Sequence, residues 1–267
     1  MTGLWSDKTK GAGLMLTWNK PFCGTVTMPT RKTPIPSIYE KMLEGAHILI
    51  GGSTGCGKSV MIDTLLYALM TSNRTKAGML FLIDPKRVSL YKYADMVTTS
   101  VYADDFEGTL NVLDNAILIM ENRYSDMQVS GEVMYQGAHI YIVIDELADL
   151  LTMGEGRKEI KPRIQKIAQL GRAAGVHLIS ATQCPARKII PAELTLNFTE
   201  KIALRCDSTI ESRQIIGASG AEKIDRYGVA LYRTSGHLYE IPVPMIPESI
   251  MTEAINTISR RRGLKCI

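Results

Sequence analysis

The chain has 267 residues, 45% of them hydrophobic and 22% charged, with a formal net charge of +4. These values exclude a disordered tail, a collagen-like rod and a disulfide-stapled mini-protein. The charge is too small to imply nucleic-acid binding without a local basic surface. Cys23, Cys56, Cys184, Cys206 and Cys266 are odd in number and contain no Cys-x-x-Cys pair, so neither a disulfide framework nor a zinc site is expected. A reducing, cytoplasmic setting is the simplest one. No leader peptide is legible, and no apolar run approaches bilayer length. No intrinsic transmembrane segment is expected, so action at a membrane would need a recruiting protein.

Residues 1–37 are rich in Gly, Pro, Thr and Lys. They read as a short N-terminal β-rich appendage and linker, with Met15, Trp18 and Phe22 as its core. Residues 38–248 alternate short apolar runs with amphipathic stretches. Strands are expected at 46–50, 79–84, 140–145, 176–181, 201–205 and 229–232. A helix is expected at 60–70. Another is marked by Phe106, Leu110, Leu113, Ile117, Met120, Tyr124 and Met127, spaced by fours and threes, with Asp104 or Asp105 as its cap. Residues 249–267 form a tail whose helix, 249–262, presents Ile250, Ala254, Ile255 and Ile258 and ends in Arg260, Arg261 and Arg262. This alternation predicts an α/β fold, a mostly parallel twisted sheet with helices on both faces. Ligands in such sheets bind beyond the carboxyl ends of the strands.

The residues after each strand carry the chemistry. Gly52, Ser53, Thr54, Gly55, Cys56, Gly57, Lys58 and Ser59, with Val60 following, fit the P-loop pattern G-x-x-x-x-G-K-[ST]. The glycines let successive N–H groups turn inward on phosphate, and the following helix adds its positive end. Lys58 is expected to reach the β- and γ-phosphates of ATP, and Ser59 to ligate Mg²⁺. The buried strand at 140–145 delivers Asp145 and Glu146. Asp145 is placed to hold Mg²⁺ through water, and Glu146 to activate the attacking water. The competing reading of this acidic pair is a cap for the next helix. The strand at 176–181 delivers Thr182 and Gln183, whose amide is a candidate reporter of the γ-phosphate. Asp84-Pro85-Lys86 reads, on its own, as an ordinary turn.

Taken in order, the segment 47–59, Asp84-Pro85-Lys86, Asp145-Glu146-Leu147-Ala148-Asp149, Arg172-Ala173-Ala174-Gly175-Val176-His177-Leu178, Ala181-Thr182-Gln183 and Ser212-Arg213-Gln214-Ile215-Ile216 resembles the FtsK/SpoIIIE family of DNA translocases. The resemblance covers about residues 38–240. It implies a RecA-like P-loop NTPase motor that assembles as a hexameric ring of identical chains, hydrolyses ATP between subunits and moves double-stranded DNA. Arg172 and Arg213 lie in matching motifs and are candidates for the arginine that completes a neighbour's site. Two basic loops, one with Arg157, Lys158, Lys161 and Arg163 and one with Arg187 and Lys188, are candidates for DNA-phosphate contact. The chain departs from the family at Cys184, where arginine is common. It also lacks a recognisable membrane region or winged-helix module, which suggests a stripped motor of a kind suited to mobile elements as well as chromosomes. The alternative is a conjugation or secretion coupling ATPase that moves a protein or a relaxase–DNA cargo.

Overall fold

The computed structural model describes residues 37–44, 47–71, 77–94, 99–153 and 155–261. The expected appendage, with Met15, Trp18 and Phe22, lies outside the described residues. So do Arg262 and the side chains of Ile258, Arg260 and Arg261. In chain order the elements are α1 (Ser37–Leu43), β1 (Ile48–Gly51), α2 (Lys58–Thr71), β2 (Ala77–Ile83), β3 (Thr99–Ala103), α3 (Phe106–Ser130), β4 (His139–Ile144), α4 (Leu147–Thr152), α5 (Gly156–Leu170) and β5 (Val176–Thr182). Then come α6 (Ala192–Thr195), β6 (Glu200–Ala203), α7 (Thr209–Ile216), β7 (Val229–Thr234), β8 (His237–Pro242) and α8 (Glu248–Arg261).

The sheet has eight strands in the order β3-β2-β4-β5-β1-β6-β7-β8. It is parallel from β3 to β6 and antiparallel from β6 to β8. Every residue of β1 and β5 is buried, which explains their continuous apolar character. One face is covered by α1, α2 and α8 through Tyr39, Leu65, Leu66 and Met251. The other is covered by α3, α4 and α5 through Val112, Leu113, Leu150, Ile160 and Ile164. A smaller cluster under α7 joins Ile215 and Ile216 to Ala203 and Ala221.

All six expected strands are present; β3 and β8 were not anticipated. β8 returns from β7 through Ser235 and Gly236, both at positive φ (46° and 81°), the geometry of a two-residue hairpin turn. The long amphipathic helix is α3. Asp105, not Asp104, caps it by accepting from the Gly108 N–H at 2.7 Å, while Asp104 pairs with Arg87 at 2.8 Å. Its buried stripe runs through Thr109, Val112, Leu113, Ala116, Met120, Arg123 and Met127. Phe106, Leu110, Ile117 and Tyr124 of the expected stripe are only half-buried against this core.

The amino ends of β1, β4 and β5 gather three histidines. His177 and His139 share a hydrogen bond of 3.0 Å between Nε2 and Nδ1, and His47 Nδ1 accepts from the Leu178 N–H at 3.0 Å. Arg123 sits beside them, donating to the carbonyls of Ala138, Ala174 and Gly175. Burial, reinforced by His139, His47, Arg123 and Arg172, lowers the His177 pKa to about 2. Burial, with Arg172 adding repulsion, lowers that of His47 to about 4. The folded chain therefore holds both rings neutral, whereas an unfolded chain protonates them near the ordinary value. Their stabilisation is complete above about pH 6.5 and declines as pH falls through 6.5 toward the folded values. The unfolding free energy is expected to drop between pH 7 and pH 5, each ring contributing on the order of 1–2 kcal/mol. In His177→Asn the slope of stability against pH is expected to be shallower, whatever its baseline; an unchanged slope in denaturant titrations removes His177 from this role.

Candidate nucleotide site

β1 ends at Gly51, and the chain then curls through the P-loop. Gly52 has φ 153°, and a Cβ there would meet Cys56 Sγ at 2.7 Å and Leu204 Cβ at 3.0 Å. Ser53 N–H donates to the Arg205 carbonyl at 2.9 Å, which pins the loop to the end of β6. Gly55 (φ 72°) and Gly57 (φ 102°) turn the backbone into α2, whose first residue is Lys58. Lys58 Nζ donates to the carbonyls of Gly52 (2.6 Å) and Ser53 (2.7 Å) inside the loop. Burial lowers its pKa, opposed by Cys56, Glu146 and Asp145. Val60, half-buried, packs against the core behind the loop.

Beside the loop stand the carboxyl ends of β2, β4 and β5. Ser59 Oγ lies 3.2 Å from Ser89 Oγ, and Ser89 also hydrogen-bonds the Asp145 carboxylate. Burial raises the Asp145 pKa; Asp84 adds to this, while Ser89, Lys86 and Lys58 oppose it. Asp84 is itself fully buried, with Oδ2 accepting from the Leu90 N–H at 2.8 Å. The expected turn is present, with the Arg87 N–H donating to the Asp84 carbonyl at 3.0 Å, and it carries a buried carboxylate at the site's edge. Lys86 pairs with Asp149 at 2.9 Å.

Glu146 is 2% exposed. Its carboxylate accepts from the Thr182 hydroxyl at 2.7 Å and from the Gln183 N–H at 2.9 and 3.1 Å. It also accepts from the Ala148 N–H at 3.3 Å, so it caps α4 as well. The cap, the competing reading of the acidic pair, is thus present in the fold. Burial raises its pKa, with Thr182 and Gln183 opposing. Gln183 turns its side chain the other way: Oε1 accepts from Thr54 Oγ1 at 2.7 Å. One residue therefore bridges the P-loop and the buried carboxylate. Ser89 is the contributor that sequence reading missed, and the bond from Thr182 to Glu146 was not foreseen. Thr182 was visible as the polar end of a buried strand; Ser89 carries no local signal.

The remaining candidates lie elsewhere. Arg172 is exposed in the turn before β5. The seven residues of β5 separate it from Gln183 by about 20 Å. It lines a cleft with Phe198, Glu200, Lys201, Gly217 and Arg233. Arg213 is exposed on α7. Arg157, Lys158, Lys161 and Arg163 do not form a loop: they lie on α5. Gly154, Gly156 and Pro162 suggest a loop, but Ile160, Ile164, Ile167 and Ala168 bury one face and enforce the helix. Arg163 is tied to Asp114 (2.7 Å) and Glu159 (3.0 Å), Lys158 to Glu155 (3.3 Å) and Lys161 to Glu193 (3.6 Å). Arg157 donates to the Lys188 carbonyl, which brings the two basic segments together. Arg187 and Lys188 are exposed on the irregular segment leaving Gln183.

A mostly parallel sheet with a P-loop after β1, an acidic pair after β4 and a polar residue after the intervening β5 defines a RecA-like P-loop NTPase architecture. The FtsK/SpoIIIE family model matches residues 13–137 and 130–187. The chain belongs to the FtsK/SpoIIIE family. It is 34% identical over 222 residues to the DNA translocase FtsK of Chlorobaculum tepidum, covering 74% of this chain and 27% of that protein. With the DNA translocase FtsK of Staphylococcus epidermidis it is 35% identical over 214 residues, covering 72% and 26%. The chain thus spans about a quarter of the length of the curated relatives it matches. The fold is shared with the pCW3 conjugation coupling protein TcpA, solved with ATPγS (TM-score 0.72, 21% identity, 83% of this chain and 66% of that one). It is shared also with the cytoplasmic domain of the Thermomonospora curvata type VII secretion ATPase EccC (TM-score 0.66, 22% identity, 80% and 28%). No helix among the described residues is long and apolar enough to cross a membrane.

Proposed function

We propose that this chain is the motor of an ATP-driven double-stranded DNA translocase that works as a homo-oligomeric, hexameric ring. The observation that carries the reading is the position of Gln183. Its side chain meets the P-loop at Thr54, its N–H meets Glu146, and the chain runs on from it to exposed Arg187 and Lys188. A change at the γ-phosphate is thereby linked to a basic segment that binds DNA phosphates without reading bases.

In this reading the P-loop amides and Lys58 bind the triphosphate, and Lys58 leaves its loop carbonyls to do so. The Ser59 hydroxyl and Asp145 carboxylate, oxygen donors joined through Ser89, suit Mg²⁺. When bound, that ion neutralises charge on the phosphates. Glu146 orients the attacking water and takes its proton as the new P–O bond forms and ADP leaves. Its raised pKa and its Thr182 and Gln183 donors hold a desolvated carboxylate in one orientation. Arg172, too far from its own chain's loop, serves the site of a neighbouring subunit. The alternative cargo, a protein or relaxase–DNA complex, uses the same motor and is selected by ATP hydrolysis indifferent to DNA.

Long duplex DNA at low salt is expected to stimulate ATP hydrolysis by the chain. Replacing Arg187 and Lys188 together by Ala is expected to weaken DNA binding for all sequences. It should also flatten the plot of log affinity against log salt by about two contacts, roughly 0.9 per contact. Absence of stimulation at low salt rejects the DNA-translocase reading.

A further inference from the structure

The phosphate end of the site is fixed by residues on one flank of β1, which leaves the other flank for the rest of the nucleotide. β1 lies between β5 and β6. Gln183 and Glu146, which serve the terminal phosphate in the proposed function, belong to the β5 and β4 flank. A triphosphate threaded with its γ end there must carry its nucleoside toward β6.

That flank holds an aromatic–cation pair with no part in the phosphate chemistry. Arg205 follows β6, and its carbonyl is the acceptor that pins Ser53 of the P-loop. Its guanidinium carbon stands 5.8 Å from the centroid of the Tyr227 ring. Tyr227 is 73% exposed, an unusual setting for a large ring. Its position is set by the sheet. β7 is antiparallel to β6, with Leu231 opposite Ala203, so the residues just before Val229 stand level with those just after Ala203. Gly228, at φ 78°, makes the bend that lifts Tyr227 out of the strand.

We propose that Tyr227, backed by Arg205, is the platform on which the purine base of the bound nucleoside triphosphate stacks. The inference rests on the nucleotide-binding reading above and adds to it the base subsite. Stacking on a flat ring tolerates any purine, and an adjacent guanidinium adds a second planar, cationic surface. The platform contributes to affinity without touching the reacting phosphate.

The test compares ATP with inorganic tripolyphosphate, which has the phosphates and no base, by calorimetry on the full 267-residue chain. Wild type is expected to bind both, ATP more tightly. Tyr227→Ala is expected to weaken ATP about tenfold, a loss of about 1.4 kcal/mol, with tripolyphosphate unchanged. Tyr227→Phe, which keeps the ring, is expected to bind ATP as wild type does. Lys58→Ala is expected to lose both ligands. Tyr227→Ala binding ATP like wild type overturns the platform, as does an equal loss of ATP and tripolyphosphate, which would mark a structural role. Wild type binding neither ligand overturns the nucleotide site itself and the platform with it; binding of tripolyphosphate alone, equal to ATP in affinity, overturns only the platform.

Discussion

Glu146→Gln is expected to lower ATP turnover by about 10²–10⁴ while leaving ATP binding nearly intact. The amide keeps the size of the side chain, and its oxygen still accepts from Thr182 or Gln183. It loses the capacity to take a proton from water. Lys58 and the P-loop backbone, which hold the triphosphate in the proposed function, are untouched. The structure makes this test a sharp one because Glu146 also caps α4. If capping were its whole role, the substitution would cost at most about 1 kcal/mol of stability and leave turnover within tenfold of wild type. Single-turnover hydrolysis, with ATP affinity and melting temperature measured on the same preparation, separates the two.

The second large effect is at Arg172. Arg172→Ala is expected to lower ATP turnover by about 10³ or more with ATP affinity preserved, as for an arginine that stabilises charge only in the transition state. If Arg172 completes an ATP site, its place at the amino end of β5, about 20 Å from its own chain's Gln183, makes that site a neighbouring subunit's. Mixing Arg172→Ala with Lys58→Ala chains is therefore expected to restore hydrolysis. A chain with an intact P-loop would receive the arginine of its neighbour. Two inactive proteins that stay inactive when mixed, under conditions where they co-assemble, assign Arg172 a role within its own subunit. Arg213→Ala is expected to have the smaller effect.

Much of the site was legible because its parts are local. Gly52 to Ser59 carry their geometry in consecutive residues, and the buried run of β4 announces that whatever follows it emerges at the sheet's carboxyl edge. The Asp145-Glu146 and Thr182-Gln183 pairs were found by that rule. What the sequence could not supply is the pairing between them. The hydrogen bonds from Thr182 and Gln183 to Glu146 span 36 and 37 residues, and the Thr54–Gln183 bond spans 129. Ser89 is met by no periodicity or motif.

The strands that escaped notice are at the sheet's margins. Half-exposed β8 lacks a continuous apolar run, and β3 is five residues long. The Ser235-Gly236 dipeptide was a readable hairpin signal between β7 and β8. The basic segment on α5 shows the reverse error. The segment was read as a basic loop, whereas in the fold burial of Ile160, Ile164 and Ile167 makes it a helix. As a result Arg163 becomes a strut between α5 and α3, through Asp114. The exposed cations of the DNA proposal are Arg187 and Lys188, with Arg157, which donates to the Lys188 carbonyl, and Lys158 beside them on α5.

The most direct measurement of ATP-driven movement along duplex DNA is displacement of a third strand annealed to a long duplex. The account predicts displacement that requires ATP, lengthens in delay with the distance from the duplex end to the third strand, and disappears in Glu146→Gln. ATP hydrolysis by the wild-type chain on duplex DNA without displacement of the third strand would contradict it.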